Sequence, residues 1–131
     1  MRKMMILALP LAVIGAVPGC QTWGPTWSEL TGARWNLTDE YRRRGVIEQV
    51  DNQGSFAQMP IKIEPGEHRI VMGSYAPGWS GGPSLKVMEL NVLPCKRYYL
   101  NGQFQNNIDP TWTPVVDYVE DIAGCQIVAK K

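Results

Sequence analysis

Apolar and polar residues alternate with a period of two in several short stretches of this chain. That is the period of a strand with one face on a core. RWNLT (34–38) alternates, and GVIEQV (45–50) is rich in β-branched residues before the turn cluster DNQG (51–54). SFAQMPIKI (55–63) leads into Glu64-Pro65-Gly66-Glu67, whose central Pro-Gly suits a type II turn, since Gly accepts the positive φ at the third position. HRIVMGSY (68–75) then returns as a strand. In LKVMELNV (85–92), Leu85 and Val87 oppose Met88 and Leu90 in phase, which predicts that one end is buried on both faces. CKRYYLNGQF (95–104) is an aromatic-rich strand, and QNNIDPTW (105–112) is a loop. Several short strands at turn intervals of about 8–12 residues predict an all-β fold, a small antiparallel sandwich.

One apolar stretch breaks the alternation. Met1, Arg2 and Lys3 open the chain, and MMILALPLAVIGAV (4–17) follows without a charge. It falls short of the roughly 20 apolar residues that span a bilayer as a helix. A charged start, a short apolar run and a small residue describe a secretory signal peptide. Val17-Pro18-Gly19-Cys20 resembles the lipobox of bacterial lipoproteins, although Pro18 is uncommon at its position. That resemblance implies cleavage before Cys20, lipidation of its thiol and a membrane anchor. Three acyl chains hold permanently where one holds only marginally. Gln21 in place of Asp favours, by resemblance to enterobacterial sorting, the outer membrane facing the periplasm.

Removing residues 1–19 leaves 112 of the 131, enough for one domain with its own core. The expected organisation is a lipidated N-terminus and tether over 20–33, a sandwich over 34–125, and a fraying tail over 126–131. The leader holds two of the 13 basic residues, so the mature chain carries 11 basic against 12 acidic side chains. A near-neutral chain offers no basic field for nucleic acid.

If Cys20 is lipidated, Cys95 and Cys125 remain as a pair in an oxidising compartment, and a disulfide between them is expected. A free thiol or a metal pair is the rival. One histidine and no C-x-x-C spacing lend neither of them support. The disulfide bears on TPVVDYVEDIAGC (113–125), which carries two signals. Thr113 before Pro114, Val115, Val119 and Ile122 at helical spacing, and Gly124 as a stop fit a helix. Its β-branched residues and Tyr118 fit a strand. Distance favours the strand. Nine strand residues carry the chain about 30 Å away from Cys95, and only a return of similar length brings Cys125 back. With Phe104 facing a residue near Val115, Cys95 falls opposite residues near Gly124.

IKIEPGEHRIVM (61–72) resembles the strand, Pro-Gly turn and strand of PEGA-type periplasmic β-sandwich modules. CKRYYLNGQF and WTPVVDYVEDIAGC are similar to the closing part of an uncharacterised group of small bacterial lipoproteins. The resemblance implies a transthyretin-like or immunoglobulin-like sandwich and no known activity.

Catalytic signals are weak. Gly78-Trp79-Ser80-Gly81-Gly82 matches the G-x-S-x-G nucleophile elbow, but Pro77 and Pro83 flank it where a strand and a helix are needed. The lone His68 precedes the serine, whereas that fold places it after. The same Gly-rich loop lacks the Lys-Ser/Thr of a phosphate cradle. Asp117, Glu120 and Asp121 form an acidic group, which alternation along a strand sends to different faces. Tyr41-Arg42-Arg43-Arg44 suits a solvated turn, or lipid phosphates beside the anchor. Trp79 and Trp112 fall in loops, where tryptophans either fold back over the core or serve as anchors for a partner or platforms for sugar rings. The expectation is a non-catalytic, membrane-anchored module that binds or scaffolds another envelope component, without cofactor or metal. The alternative is a glycan or small-ligand binder using Trp79 and Trp112.

Overall fold

The computed structural model describes residues 24–32, 40–56, 58–75 and 82–128. The expected strand at 34–38 lies outside them. Eight strands run in chain order: β1 (Ser28–Thr31), β2 (Arg42–Arg44), β3 (Val46–Val50), β4 (Ile61–Ile63), β5 (Gly66–Ser74), β6 (Ser84–Val92), β7 (Lys96–Phe104) and β8 (Trp112–Asp121). They form two sheets, so the fold is the all-β sandwich that the alternation predicts.

β7 organises the five-stranded sheet. One of its edges pairs antiparallel with β8 along its whole length, from Lys96↔Asp121 to Phe104↔Trp112. The other edge is shared end to end. β1 pairs parallel to Glu29↔Arg97 and its neighbours, β2 pairs antiparallel farther along, and β4 lies outside β1. The three-stranded sheet runs β3–β5–β6. The facing sides supply the core. Leu30, Leu100 and Phe104 from the first sheet meet Ile47, Ile70, Met72 and Val92 from the second. Each such side chain stabilises the fold by about 1.5–3 kcal/mol when fully buried.

Residues 113–125 settle the ambiguous signal. β8 is a strand, with the hairpin register slipping once between Tyr99 and Leu100. The disulfide closes the open end of that hairpin: Cys95 and Cys125 are joined with Cα atoms 5.5 Å apart.

Four expectations are corrected. The expected tether over 20–33 includes a strand: all four residues of β1 are buried between β7 and β4. Its apolar content is one leucine, so alternation could not single it out. The Pro65-Gly66 bend does not fold a hairpin. β4 pairs with β1 while β5 pairs with β3 and β6, so the bend passes the chain between sheets, with Gly66 at φ +126°. Gly45 makes the same kind of crossing between β2 and β3. The start of β6 is not covered on both faces: Leu85 and Val87 are about half exposed on the outer side of a three-stranded sheet. The tail does not fray immediately, because the Gln126 amide donates to the Pro25 carbonyl at 2.9 Å and the Val128 amide to the Thr26 hydroxyl at 3.2 Å.

Candidate functional site

The strand directions give the molecule two ends. β6 finishes and β7 begins at the turn Leu93-Pro94-Cys95, and β8 returns to the same end. The first described residues arrive there too. The Cys95 amide donates to the Trp27 carbonyl at 3.0 Å, the Ser28 hydroxyl to the Leu93 carbonyl at 2.6 Å, and the Trp27 amide approaches Cys125 Sγ at 3.4 Å. A cleft of about 700 Å³ opens at this disulfide end, lined by Gly24, Pro25, Pro65, Leu93, Pro94 and Val128 among others. The end of β5, the start of β6 and the β7–β8 loop lie at the opposite end.

Of the sequence-predicted residues, Cys20, Trp79 and Ser80 lie outside the described residues. Trp112 is placed, and of its two readings the structure bears out the one that packs it on the core and corrects the candidate binding role and the loop position. It is the first residue of β8, 3 % exposed, with its ring stacked 6.2 Å from that of Phe104. The phase of β8 turns it inward, so no sugar or partner reaches its face.

Tyr41-Arg42-Arg43-Arg44 is not a solvated turn. Arg42–Arg44 is β2, placed at the loop end. Arg42 pairs with Asp117 and bonds Gln103, while the Arg43 guanidinium lies 5.7 Å from the centre of the Phe104 ring. These cations sit at the end of the fold opposite Gly24, which removes the lipid-phosphate role considered for them beside the anchor. Asp117, Glu120 and Asp121 each take a different cation, Arg42, Arg97 and Lys96 respectively. Among the described residues no group of three potential ligands could hold a metal ion.

A polar network that alternation did not single out covers the outer face of β1, β7 and β8. Arg97 Nε donates to Glu29 Oε2 at 2.6 Å, and another of its nitrogens to Glu120 Oε1 at 2.7 Å. The Tyr99 hydroxyl donates to that same Glu120 oxygen at 2.5 Å, and Trp27 Nε1 donates to Glu29 Oε1 at 3.1 Å. The Glu29 and Glu120 carboxylates push the Arg97 guanidinium further above its ordinary range, and Glu120 together with burial raises the Tyr99 phenol. Glu29 is only 7 % exposed, so its charge needs these donors. The donors and acceptors satisfy one another, as a structural network does.

His68 shows why the chain's single imidazole is a poor general base. Nδ1 lies 2.5 Å from Asp51 Oδ2 and Nε2 lies 2.6 Å from the Glu64 carbonyl. Both nitrogens face acceptors, which favours the doubly protonated ring. Burial alone lowers its pKa, but the Asp51 carboxylate and the Glu64 carbonyl outweigh that and raise it. Asp51 is held below its ordinary value by the Arg69 amide and by His68. The imidazole clasps the turn after β3 to the bend before β5.

The outer face of the three-stranded sheet differs from the paired face of the other. Val46, Gly73 and Leu85 lie in one row across it, with Val71 and Val87 side by side in the next. Val46, Leu85 and Val87 are 36 %, 57 % and 48 % exposed. Gly73 supplies no side chain in that row, so Pro83, the Glu48 carboxylate and Leu85 close over its Cα. The strip sits towards the loop end, away from the disulfide. Sequence phase did pair Leu85 with Val87; what it could not give was that no second layer among the described residues covers them. No protein-family model, curated protein or solved structure matches this chain.

Proposed function

We propose that this chain is a non-catalytic lipoprotein of the bacterial envelope, anchored through Cys20, that binds another envelope protein through the outer face of its three-stranded sheet. The apolar strip Val46, Leu85, Val87 carries the reading, because exposed apolar side chains grouped on one face mark an interaction site where scattered single residues do not. The anchoring part rests on Val17-Pro18-Gly19-Cys20 and on a fold that brings residues 24–27 to one end, leaving the strip nearer the other. An outer-membrane position facing the periplasm, from Gln21, belongs to the same proposal, as does kinship with PEGA-type modules. Strand addition is the weaker mode of binding. Lys86 points inward on the open edge of β6 and Pro114 interrupts the open edge of β8, devices that discourage a further strand. The glycan reading loses Trp112 to the core.

Two measurements test this in the native envelope. Alkyne-palmitate fed to the cells should label the wild-type protein and not Cys20→Ser. A photo-crosslinker at Leu85 should capture one discrete envelope protein, and V46D/V87D should abolish that adduct without lowering thermal stability. Absence of label contradicts the anchor, and absence of a discrete adduct contradicts the binding face.

A further inference from the structure

We infer that the disulfide end is a membrane-contacting surface, on which Leu93, Ile127 and Val128 rest in the lipid interface. This deepens the proposed function and rests on its anchoring at Cys20. Three observations support it.

The first is reach. Cys20 and Gly24 are four residues apart, so a fully stretched chain separates them by about 14 Å. The two headgroup layers of a bilayer together occupy only about 10–15 Å, so an acylated Cys20 confines Gly24 to the immediate neighbourhood of the lipid. Pro25, Thr26 and Trp27 are hydrogen-bonded to Gln126, Val128 and Cys95, and those bonds confine the whole disulfide end with them.

The second is the surface itself. Leu93 is 54 % exposed, Ile127 71 % and Val128 55 %. Leu93 and Val128 line the same cleft as Gly24, Pro25 and Pro94. Two large apolar side chains thus line the cleft where the chain leaves for the anchor, and the exposed Ile127 precedes Val128 in the chain. Each would leave water on entering the lipid interface.

The third is charge. Asp121, near this surface, is paired with Lys96, and Glu64, the one charged residue of the cleft lining, is exposed. The cleft walls are otherwise apolar side chains, backbone, Thr26 and Asn91, so few charges must be desolvated. At the far end, Ile108 is 89 % exposed within the polar loop Gln105–Asp109 and serves as the internal control.

The test reconstitutes the full lipidated protein in phosphatidylethanolamine/phosphatidylglycerol vesicles containing a phospholipid with a diazirine in its acyl chain. After flotation and illumination, mass spectrometry maps the adducts. Adducts on Leu93, Ile127 or Val128 with none on Ile108 are expected, and L93D/I127D should lose them while still floating and melting at the wild-type temperature. Protein that floats but carries adducts only within residues 20–23, or equally on Ile108, overturns the inference and leaves the anchor standing. Protein that does not float overturns the anchor, and this inference with it.

Discussion

Phe104 and Trp112 stand directly opposite each other at the loop end of the β7–β8 hairpin, their rings 6.2 Å apart and stacked. The two sides of the turn are thereby held by core packing. Trp112→Ala should cost about 3–5 kcal/mol. Trp112→Phe should cost much less, because the buried indole N–H has no hydrogen-bond partner to lose. Urea denaturation of the two variants measures the difference. A near-neutral Trp112→Ala would contradict the core assignment.

Gly32 and Gly45 approach so closely that a Cβ on Gly32 would stand 2.1 Å from the Gly45 carbonyl oxygen. A Cβ on Gly45 would meet Met72 Cε at 2.5 Å. This is where β1 ends and where the chain passes from β2 to β3, so neither backbone can withdraw without losing strand pairing. Gly32→Ala and Gly45→Ala should each destabilise by about 1–3 kcal/mol or more, visible as a lowered melting temperature, whereas Gly24→Ala, with open space around it, should be silent.

The Cys95–Cys125 bridge spans 30 residues of chain. In the chain-entropy model such a loop contributes about 3–4 kcal/mol. Reduction, or the double Cys→Ala variant, should lower the denaturation midpoint accordingly. It should also loosen residues 25–27 and 126–128, which are clamped to each other beside the sulfurs. Hydrogen exchange at Gln126 reads the second effect.

His68 and Asp51 predict opposite pH limbs. The folded imidazole titrates above its ordinary 6.5, so its contribution is complete below that value and is lost as pH rises through the folded pKa. Folded Asp51 titrates below its ordinary 3.8, so its contribution is complete above that value and is lost as pH falls through the folded pKa. The wild type should therefore lose stability as pH rises above the ordinary imidazole value of 6.5, and His68→Gln should flatten that limb. Urea midpoints across the range test the sign. A midpoint that rises with pH in the wild type would contradict the clasp.

Much of the sandwich was legible because its long strands carry two faces of different polarity. In β7, Tyr98, Leu100 and Phe104 go inward while Arg97, Tyr99 and Gln103 go outward, and a period of two follows directly. The strand assignment of β8 needed more than pattern, since Val115, Val119 and Ile122 also fit a helix; the distance back to Cys95 decided it. β1 escaped because Glu29 and Thr31 are polar yet buried, and what makes Glu29 tolerable there is Arg97, 68 residues away. The sheet crossings escaped because a Pro-Gly pair suits both a hairpin turn and a bend between layers, and only the partners of β4 and β5 distinguish them. Trp112 escaped at a boundary: one residue separates the loop from the first inward position of β8. The apolar strip was legible as a phase and not as a surface, because exposure depends on whether another layer is present.

Cys20 carries the central claim, and the intact mass of the native protein tests it most directly. The account predicts a chain that begins at Cys20 and bears three acyl chains, with the Cys95–Cys125 bridge two hydrogens lighter than the dithiol. A mass that retains residues 1–19, or an unmodified thiol at Cys20, would contradict it.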